Sequence, residues 1–378
     1  MNKKRITIGL PRIHEEPGER RDFLPGFVAA LVQYDAAVVL EEGYGSGIGY
    51  SEEAYLRTAA NGSVRFGSVE ETFQQDYVLV LRAPRKEHLR LLKPGACLIS
   101  MLHYPTRPER VAYLRSLGIE AVSLDSITDD TGRRLVENLR AVGWNGMHVA
   151  MSTLRKLRPD FKDPQREPIR VTLLGLGAVG SHVAQAAIRY ANNALRRDLY
   201  ARGVPGVIVR AVDYDLTAHE SYVRELLRDT DILADATQRP DPSKPVIPNA
   251  WLADLPERAV LLDLSVDPYN CEQQPVSVKG IEGIPQGNLD KYVFAPDDPV
   301  YESIPPCVDT TNRRWAVSCY SWPGIYPAEC MEIYGRQIRP IIHQLLVSGG
   351  VQNIRPHGTY FERAISRAML SRWEPQEG

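Results

Sequence analysis

The 378-residue sequence predicts an α/β protein of two domains, each a doubly wound parallel sheet, with a cleft between them. Three observations carry that prediction. Apolar β-prone runs alternate with amphipathic stretches, these runs fall into two successive series, and a glycine-rich turn joins strand to helix at the head of the second series. The length agrees, because domains run to roughly 100–200 residues each.

The first series has strand-like runs at Arg5–Leu10, Ala36–Leu40, Tyr77–Arg82, Cys97–Leu102 and Glu120–Ser123. Helical spacing falls between them at Phe27–Gln33, Glu52–Ala60 and Pro108–Leu117. Met147–Leu157 reads as a helix, and the charged, proline-containing RPDFKDPQREP after it breaks regular structure. The second series runs through Ile169–Leu174, Val207–Val212, Ile232–Ala236 and Val260–Leu264. From Pro268 to Trp315 periodicity is lost and loop is expected, whereas Pro327–Val347 is apolar at helical spacing and should carry the chain back to the first domain. The terminal Tyr360–Trp373 reads as a short amphipathic helix with Arg363, Arg367 and Arg372 on its polar side. The expected division is therefore 1–143 for a substrate domain, 144–315 for a nucleotide domain and 316–378 for the return.

Composition narrows the function. Hydrophobic residues make up 43% and charged residues 24%, enough apolar material for a packed core. Lys plus Arg number 45 against 47 Asp plus Glu, so the basic footprint of a nucleic-acid binder is missing. The opening MNKKRITIGLPRIHEE has no apolar signal segment, and no run approaches the roughly 18 apolar residues of a membrane span, so a cytoplasmic protein is expected. Five cysteines form no CxxC and lie far apart, which fits reduced, structural thiols better than a disulfide framework or a zinc site. No metal is expected.

IRVTLLGLGAVGSHVAQAA is an apolar strand followed by Gly175, Gly177 and Gly180, with Ala178 and Val179 between the last two. This is the GxGxxG fingerprint of Rossmann-type dinucleotide binding in its strand-turn-helix context. Gly175 permits the tight turn, Gly177 lets backbone N–H groups approach a pyrophosphate, and Gly180 lets helix and strand pack closely. The fingerprint also requires an acid after the next strand to bind the adenosine ribose. VIVRAVDYD offers Asp213, which argues for NAD over NADP, although it stands 33 residues after Gly180, beyond the usual offset of roughly 20. The intervening NNALRRDLYARGVPG lengthens the crossover.

Three polar residues of the first domain are candidates for substrate chemistry. Arg20 lies in the turn-rich GERRDFLPG and could clamp a carboxylate with two parallel hydrogen bonds. Arg82 ends the strand VLVLRAP and His103 ends CLISMLHYP, and strand C-termini of open α/β sheets face the ligand crevice. Histidine is the natural acid/base because imidazole titrates near neutrality. In the second domain, VLLDLSVDPYN places Asp263 within a strand and Asp267 just past its end.

In this order, these segments resemble the alanine dehydrogenase family and its relative, the NAD-binding alpha subunit of proton-translocating transhydrogenase. IGLPRIHEEPGERRDFLP is similar to that family's opening, in which a proline precedes a carboxylate-binding arginine by nine residues, as Pro11 precedes Arg20. GYGSGIGYSEEAY resembles its glycine-rich turn before a helix, and VLVLRAP its strand bearing a substrate-binding lysine, which here is Arg82. MLHYPTRPE and LLDLSVDPYN resemble the segments with its catalytic histidine and aspartate, falling on His103 and Asp267. SWPGIYP is similar to the motif opening the helix back to the substrate domain, with Ser321 where the family has asparagine and Trp322 after it. RPDFKDPQREP stands in place of the family's glycine-rich loop.

The resemblance implies an NAD-dependent oxidoreductase acting on the Cα–N bond of an L-amino acid, with an amino acid or 2-oxo acid as its small-molecule partner. Arg20, Arg82, Ser321 and Trp322 would then bind substrate. Arginine holds a carboxylate as lysine does but gives up no proton near neutrality, which leaves proton transfer to His103. The same superfamily includes saccharopine dehydrogenase and carboxyethylornithine synthase, so opine-type condensation of a 2-oxo acid with an amino acid is the alternative, and a non-catalytic transhydrogenase-like NAD-binding subunit is a third. Superfamily members form hexamers, dimers and monomers, which leaves the oligomeric state, including a homo-oligomer, open.

Overall fold

A computed structural model describes residues 5–14, 16–58 and 62–374. The chain divides into two compact units, one of Met1–Glu15, Glu19–Asn138 and Tyr326–Gly378, the other of Glu16–Gly18 and Leu139–Ile325. The changes of unit thus fall at residues 138/139 and 325/326, against sequence boundaries of 143/144 and 315/316.

The expected α/β class is borne out. The first unit holds six strands, β1 (Thr7–Leu10), β2 (Ala37–Glu41), β3 (Val64–Gly67), β4 (Tyr77–Arg82), β5 (Cys97–Met101) and β6 (Glu120–Ser123). All are parallel, in the order β3-β2-β1-β4-β5-β6. Strand β3 was not expected from the sequence. VRFG is too short for a period to show, and it pairs in register with β2 only after the chain has crossed over. The helix expected over Glu52–Ala60 ends at Leu56, and Ala60 lies outside the described residues.

The second unit holds β7 (Ile169–Leu174), β8 (Val207–Val212), β9 (Ile232–Asp235), β10 (Val260–Asp263), β11 (Val293–Phe294) and β12 (Trp315–Ser318), in the order β11-β12-β10-β9-β7-β8. Only β11 runs antiparallel. The expectation of loop throughout Pro268–Trp315 is corrected: β11 and a 3-10 turn at Pro299–Ser303 lie inside it, and Trp315 begins β12. These strands are too short for a sequence period, and sheet hydrogen bonds specify them. The helix expected over Met147–Leu157 starts at Leu139, because its first two turns pack along the helix Ala178–Ile188. The stretch that lengthens the crossover forms the helix Asn193–Ala201, capped by the Asn192 side chain.

Helix Pro327–Val347 keeps the bounds that periodicity assigned it. Its buried Met331, Ile338, Ile341, Ile342 and Leu345 join Phe27, Val28, Leu31 and the first sheet in one core. Amphipathic helix Tyr360–Ala368 follows, with Arg363 and Arg367 both paired to Asp130 and Arg372 donating to Ile354 O.

The cysteine reading is corrected for one pair. Cys97, Cys319 and Cys330 are free and buried, but Cys271 and Cys307 form a disulfide with Cα atoms 6.4 Å apart. They are separated by 36 residues with no sequence motif, so only loop folding brings them together.

Ile338 is fully buried at the centre of the first unit's core. Ile338→Ala should cost about 2–5 kcal/mol, the range for truncating a buried aliphatic residue, read as a lower urea midpoint.

Candidate functional site

In each sheet the strand order reverses beside the first strand, between β1 and β4 and between β7 and β9. At such switch points the loops leaving neighbouring strands diverge and open a crevice at the carboxyl edge. In the second unit that crevice is a cavity of about 980 Å³. Gly175, Gly177, Ala178 and Val179 line it, as do Asp213 and Asp267, so six of the residues selected from the sequence meet in one place.

The three glycines differ in what they permit. Gly175 has φ +79°, a conformation that suits glycine, and a Cβ on Gly180 would overlap the Gly175 carbonyl. Gly177 has no heavy atom within 4 Å of where a Cβ would lie, so its backbone stands open to the cavity as the cap of helix Ala178–Ile188. That helix presents the unpaired N–H groups and positive dipole end of its first turn to an anion. Asp213 is exposed beyond β8, where it caps the next short helix by accepting from Tyr214 N–H. Open backbone, helix terminus and ribose-side acid together fit a dinucleotide.

Asp267 is held by the guanidinium of Arg239, Nη2 to Oδ2 2.8 Å. Arg239 is itself anchored by the carbonyls of Lys244 and Val278 and also lines the cavity. Immediately before Asp267, Val266 has φ +59°. A β-branched residue in the left-handed region is strained, and such strain gathers at functional sites. The Val266 N–H donates to Asp263 Oδ1 at 3.0 Å, which holds the turn.

Beneath the crevice lies a cluster that the sequence reading did not assemble. Asp235 and Asp263 are register partners on β9 and β10, both fully buried. Lys279, also fully buried, donates to Asp263 Oδ2 and to Gln286 Oε1, each at 2.7 Å. Burial raises the Asp263 carboxyl, but the charge and hydrogen bond of Lys279, helped by Val266 N–H and Ser318, outweigh it and hold it below the ordinary range. Asp235 lacks that cation. Burial and the Asp263 charge push it up to about 6 against the hydrogen bonds of Thr237 and Ser265, two residues that line the cavity.

In the first unit, His103 follows β5 with φ +53°, a second left-handed non-glycine residue. Its Nδ1 lies 3.2 Å from Asp125 Oδ2, and its N–H donates to Asp125 Oδ1. Burial pushes the Asp125 carboxyl up, but the hydrogen bond and charge of His103, with Ser123, bring it down to about 2. Half of the His103 side chain remains exposed. Asp125 was missed in the sequence because its signal, an acid just past a strand end, has meaning only once β6 is known to lie beside β5.

Arg20 is exposed, with its alkyl chain along Gly47. Arg82 pairs with Glu19, whose fully buried side chain also holds Arg21. Neither Ser321 nor Trp322 lines the dinucleotide-type cavity. Ser321 is half-buried and its carbonyl accepts from Gly324 N–H. The substrate-binding reading of Trp322 is corrected: it is 1% exposed and its indole N–H donates to Asp263 O at 2.8 Å, so it is a core residue with no open face.

Two Rossmann-type units, one with a dinucleotide-type crevice and the other with a carboxylate-oriented histidine, define the class. Its particular relatives follow. Residues 10–140 match the family described as alanine dehydrogenase/PNT, N-terminal domain. The chain is 21% identical over 272 residues to an alanine dehydrogenase of Bacillus subtilis, spanning 69% of this chain and 71% of that one. It is 24% identical over 214 residues to an NAD(P) transhydrogenase subunit alpha of Haemophilus influenzae, 55% of this chain and 38% of that longer one. Among solved structures an L-alanine dehydrogenase superposes with a TM-score of 0.69 at 16% identity, covering 96% of this chain and 94% of that one. A transhydrogenase from Sinorhizobium meliloti gives 0.61 at 16% identity, covering 90% and 96%. The resemblance read from the sequence is thus borne out. Among the described residues, no helix is long and apolar enough to cross a membrane and no group of three or more His, Cys, Asp or Glu is arranged to hold a metal.

Two stability measurements test the buried cluster. Lys279→Met leaves Asp263 without its cation and should cost about 3–5 kcal/mol in urea unfolding. A carboxyl whose folded-state value lies above its unfolded one takes up its proton on folding, so the contribution of Asp235 is complete below pH 3.8 and is lost as pH rises through about 6. Asp235→Asn removes that loss. Relative to wild type, the variant should gain on the order of 2–3 kcal/mol as pH is raised from about 3 to about 8, in paired denaturation curves.

Proposed function

We propose that this protein is an NAD-dependent oxidoreductase acting on the Cα–N bond of an L-amino acid, in the manner of an amino-acid dehydrogenase. The observation that carries the proposal is the cavity at the Gly175–Gly180 turn, where open backbone, Asp213 and Asp267 line one space in a relative of the alanine dehydrogenases. The N–H groups that open helix Ala178–Ile188 would bind the pyrophosphate and Asp213 the adenosine ribose. NAD, when bound, supplies the hydride acceptor or donor.

The remaining chemistry belongs to the chain's own side chains. Arg20 and Arg82 bind the substrate carboxylate, and Glu19 orients Arg82. His103 moves the proton to and from the carbonyl or carbinolamine oxygen through the imidazole nitrogen not directed at Asp125. The low-lying Asp125 carboxylate fixes the ring orientation. Asp267, held in place by Arg239, stabilises the cationic imine by its charge.

A second reading is opine-type chemistry, in which an amino acid replaces ammonia as nitrogen donor. It is favoured by Arg82 in place of a lysine and by Ser321 in place of an asparagine. Loss of NADH absorbance at 340 nm, with a panel of 2-oxo acids and either ammonium or lysine and ornithine, separates the two. Turnover with ammonium alone supports the dehydrogenase, a strict requirement for the amino acid supports the opine reading, and NADH binding without turnover on any substrate overturns both in favour of a binding subunit. His103→Ala should lower turnover by about two to four orders of magnitude with NADH affinity unchanged in a fluorescence titration, and near wild-type turnover would remove His103 from the mechanism.

A further inference from the structure

A second cavity, of about 540 Å³, lies wholly within the first unit. It opens between the loops that leave β4 and β5, one strand away from the switch point between β1 and β4. None of Arg20, Arg82 and His103 lines it. Its volume falls within the range of small-molecule sites, roughly 300–1,000 Å³.

The charge of its lining is one-sided. Arg85 and Lys86 come from the β4 loop, Arg107 and Arg110 from the β5 loop, and Glu109 is the single carboxylate among the lining residues. This concentration occurs in a chain whose formal charge is −2. Neutral partners hold two of the cations: the Lys86 ammonium lies 5.3 Å from the centre of the Tyr113 ring, and Arg107 Nη1 donates to Thr106 O at 3.0 Å. Those contacts fix the direction of the Lys86 and Arg107 side chains without cancelling their charge. Helix Pro108–Ser116 also turns its first residues toward the cavity and adds its positive dipole end. Pro84, Leu89 and the Tyr113 ring provide an apolar wall beside the charges.

We propose that this cavity binds a small multivalent oxyanion, a molecule bearing two or more phosphoryl or carboxylate charges on a compact body, at a site separate from the dinucleotide crevice. Cations on two loops, facing one space, suit a ligand with charge at more than one point, and a monovalent anion would satisfy only part of the set. Phosphoryl and carboxylate ligands share this chemistry.

Calorimetric titration of the full chain with pyrophosphate, citrate and acetate at 150 mM NaCl tests the proposal and distinguishes the two ligand classes. The expected result is saturable binding of pyrophosphate or citrate, tighter than acetate by at least roughly tenfold. The double variant Lys86→Gln, Arg107→Gln alters two exposed side chains outside the proposed catalytic set. It should weaken the polyanion roughly tenfold or more while keeping the wild-type melting temperature and NADH affinity. Pyrophosphate binding alone assigns a phosphoryl ligand, and citrate binding alone a polycarboxylate. Absence of saturable binding by both, equal affinity for acetate, or unchanged affinity in the double variant overturns the proposal.

Discussion

One buried ammonium paired with one of two neighbouring buried carboxylates organises the second unit. Lys279 sits under the carboxyl edge of the sheet with Asp263 at 2.7 Å, and Asp235 is the register partner of Asp263 on the adjoining strand. Two neighbouring carboxylates in a dry setting cannot both carry full charge at low cost when a single cation pairs with only one of them. Asp263 takes the cation and remains charged, while Asp235 holds its proton more tightly. The surrounding chain is arranged by what these groups bind. Asp235 accepts from Thr237 and Ser265, Asp263 from Val266 N–H and Ser318, and the Asp263 carbonyl from Trp322. The loops leaving β9 and β10 thus start from a common anchor, and both contribute to the crevice wall.

The same cluster accounts for backbone strain beside Asp267. Val266 is held at φ +59° by its hydrogen bond to Asp263, so the turn presents Asp267 to Arg239 at the edge of the cavity. His103 in the first unit has a parallel arrangement, a left-handed backbone fixed by its N–H bond to a buried aspartate. In both units a buried carboxylate specifies a conformation that the local sequence would not choose, and in both the strained segment carries a titratable side chain selected as catalytic. Low local propensity offset by buried hydrogen bonds is a recurrent mark of functional positions.

The relatives share the architecture at low sequence identity. A guanidinium at position 82 is held by a buried glutamate that also holds Arg21, so these three side chains form one charged network. Trp322, within the SWPGIYP motif, is a core residue whose indole N–H is bonded to the strand beneath it.

Sequence by itself determined the elements whose signal is local. The bounds of β4, β6, β7, β8 and helix Pro327–Val347 follow from hydrophobic period and length, and the glycine turn follows from residue type, because only glycine tolerates the backbone at position 175 and the close approach at position 180. The strand-end positions of Arg82 and His103 were legible for the same reason. Tertiary structure alone decided the rest. Short strands β3, β11 and β12 exist because neighbouring strands complete their hydrogen bonds. The Cys271–Cys307 bridge, the Asp125 partner of His103, the Lys279–Asp263 pair and the bond from buried Trp322 to Asp263 join residues far apart in the chain. Pairings of that kind have no period and no spacing. They depend on which strands lie side by side and how little water reaches the space between, and both are set only when the sheets have formed.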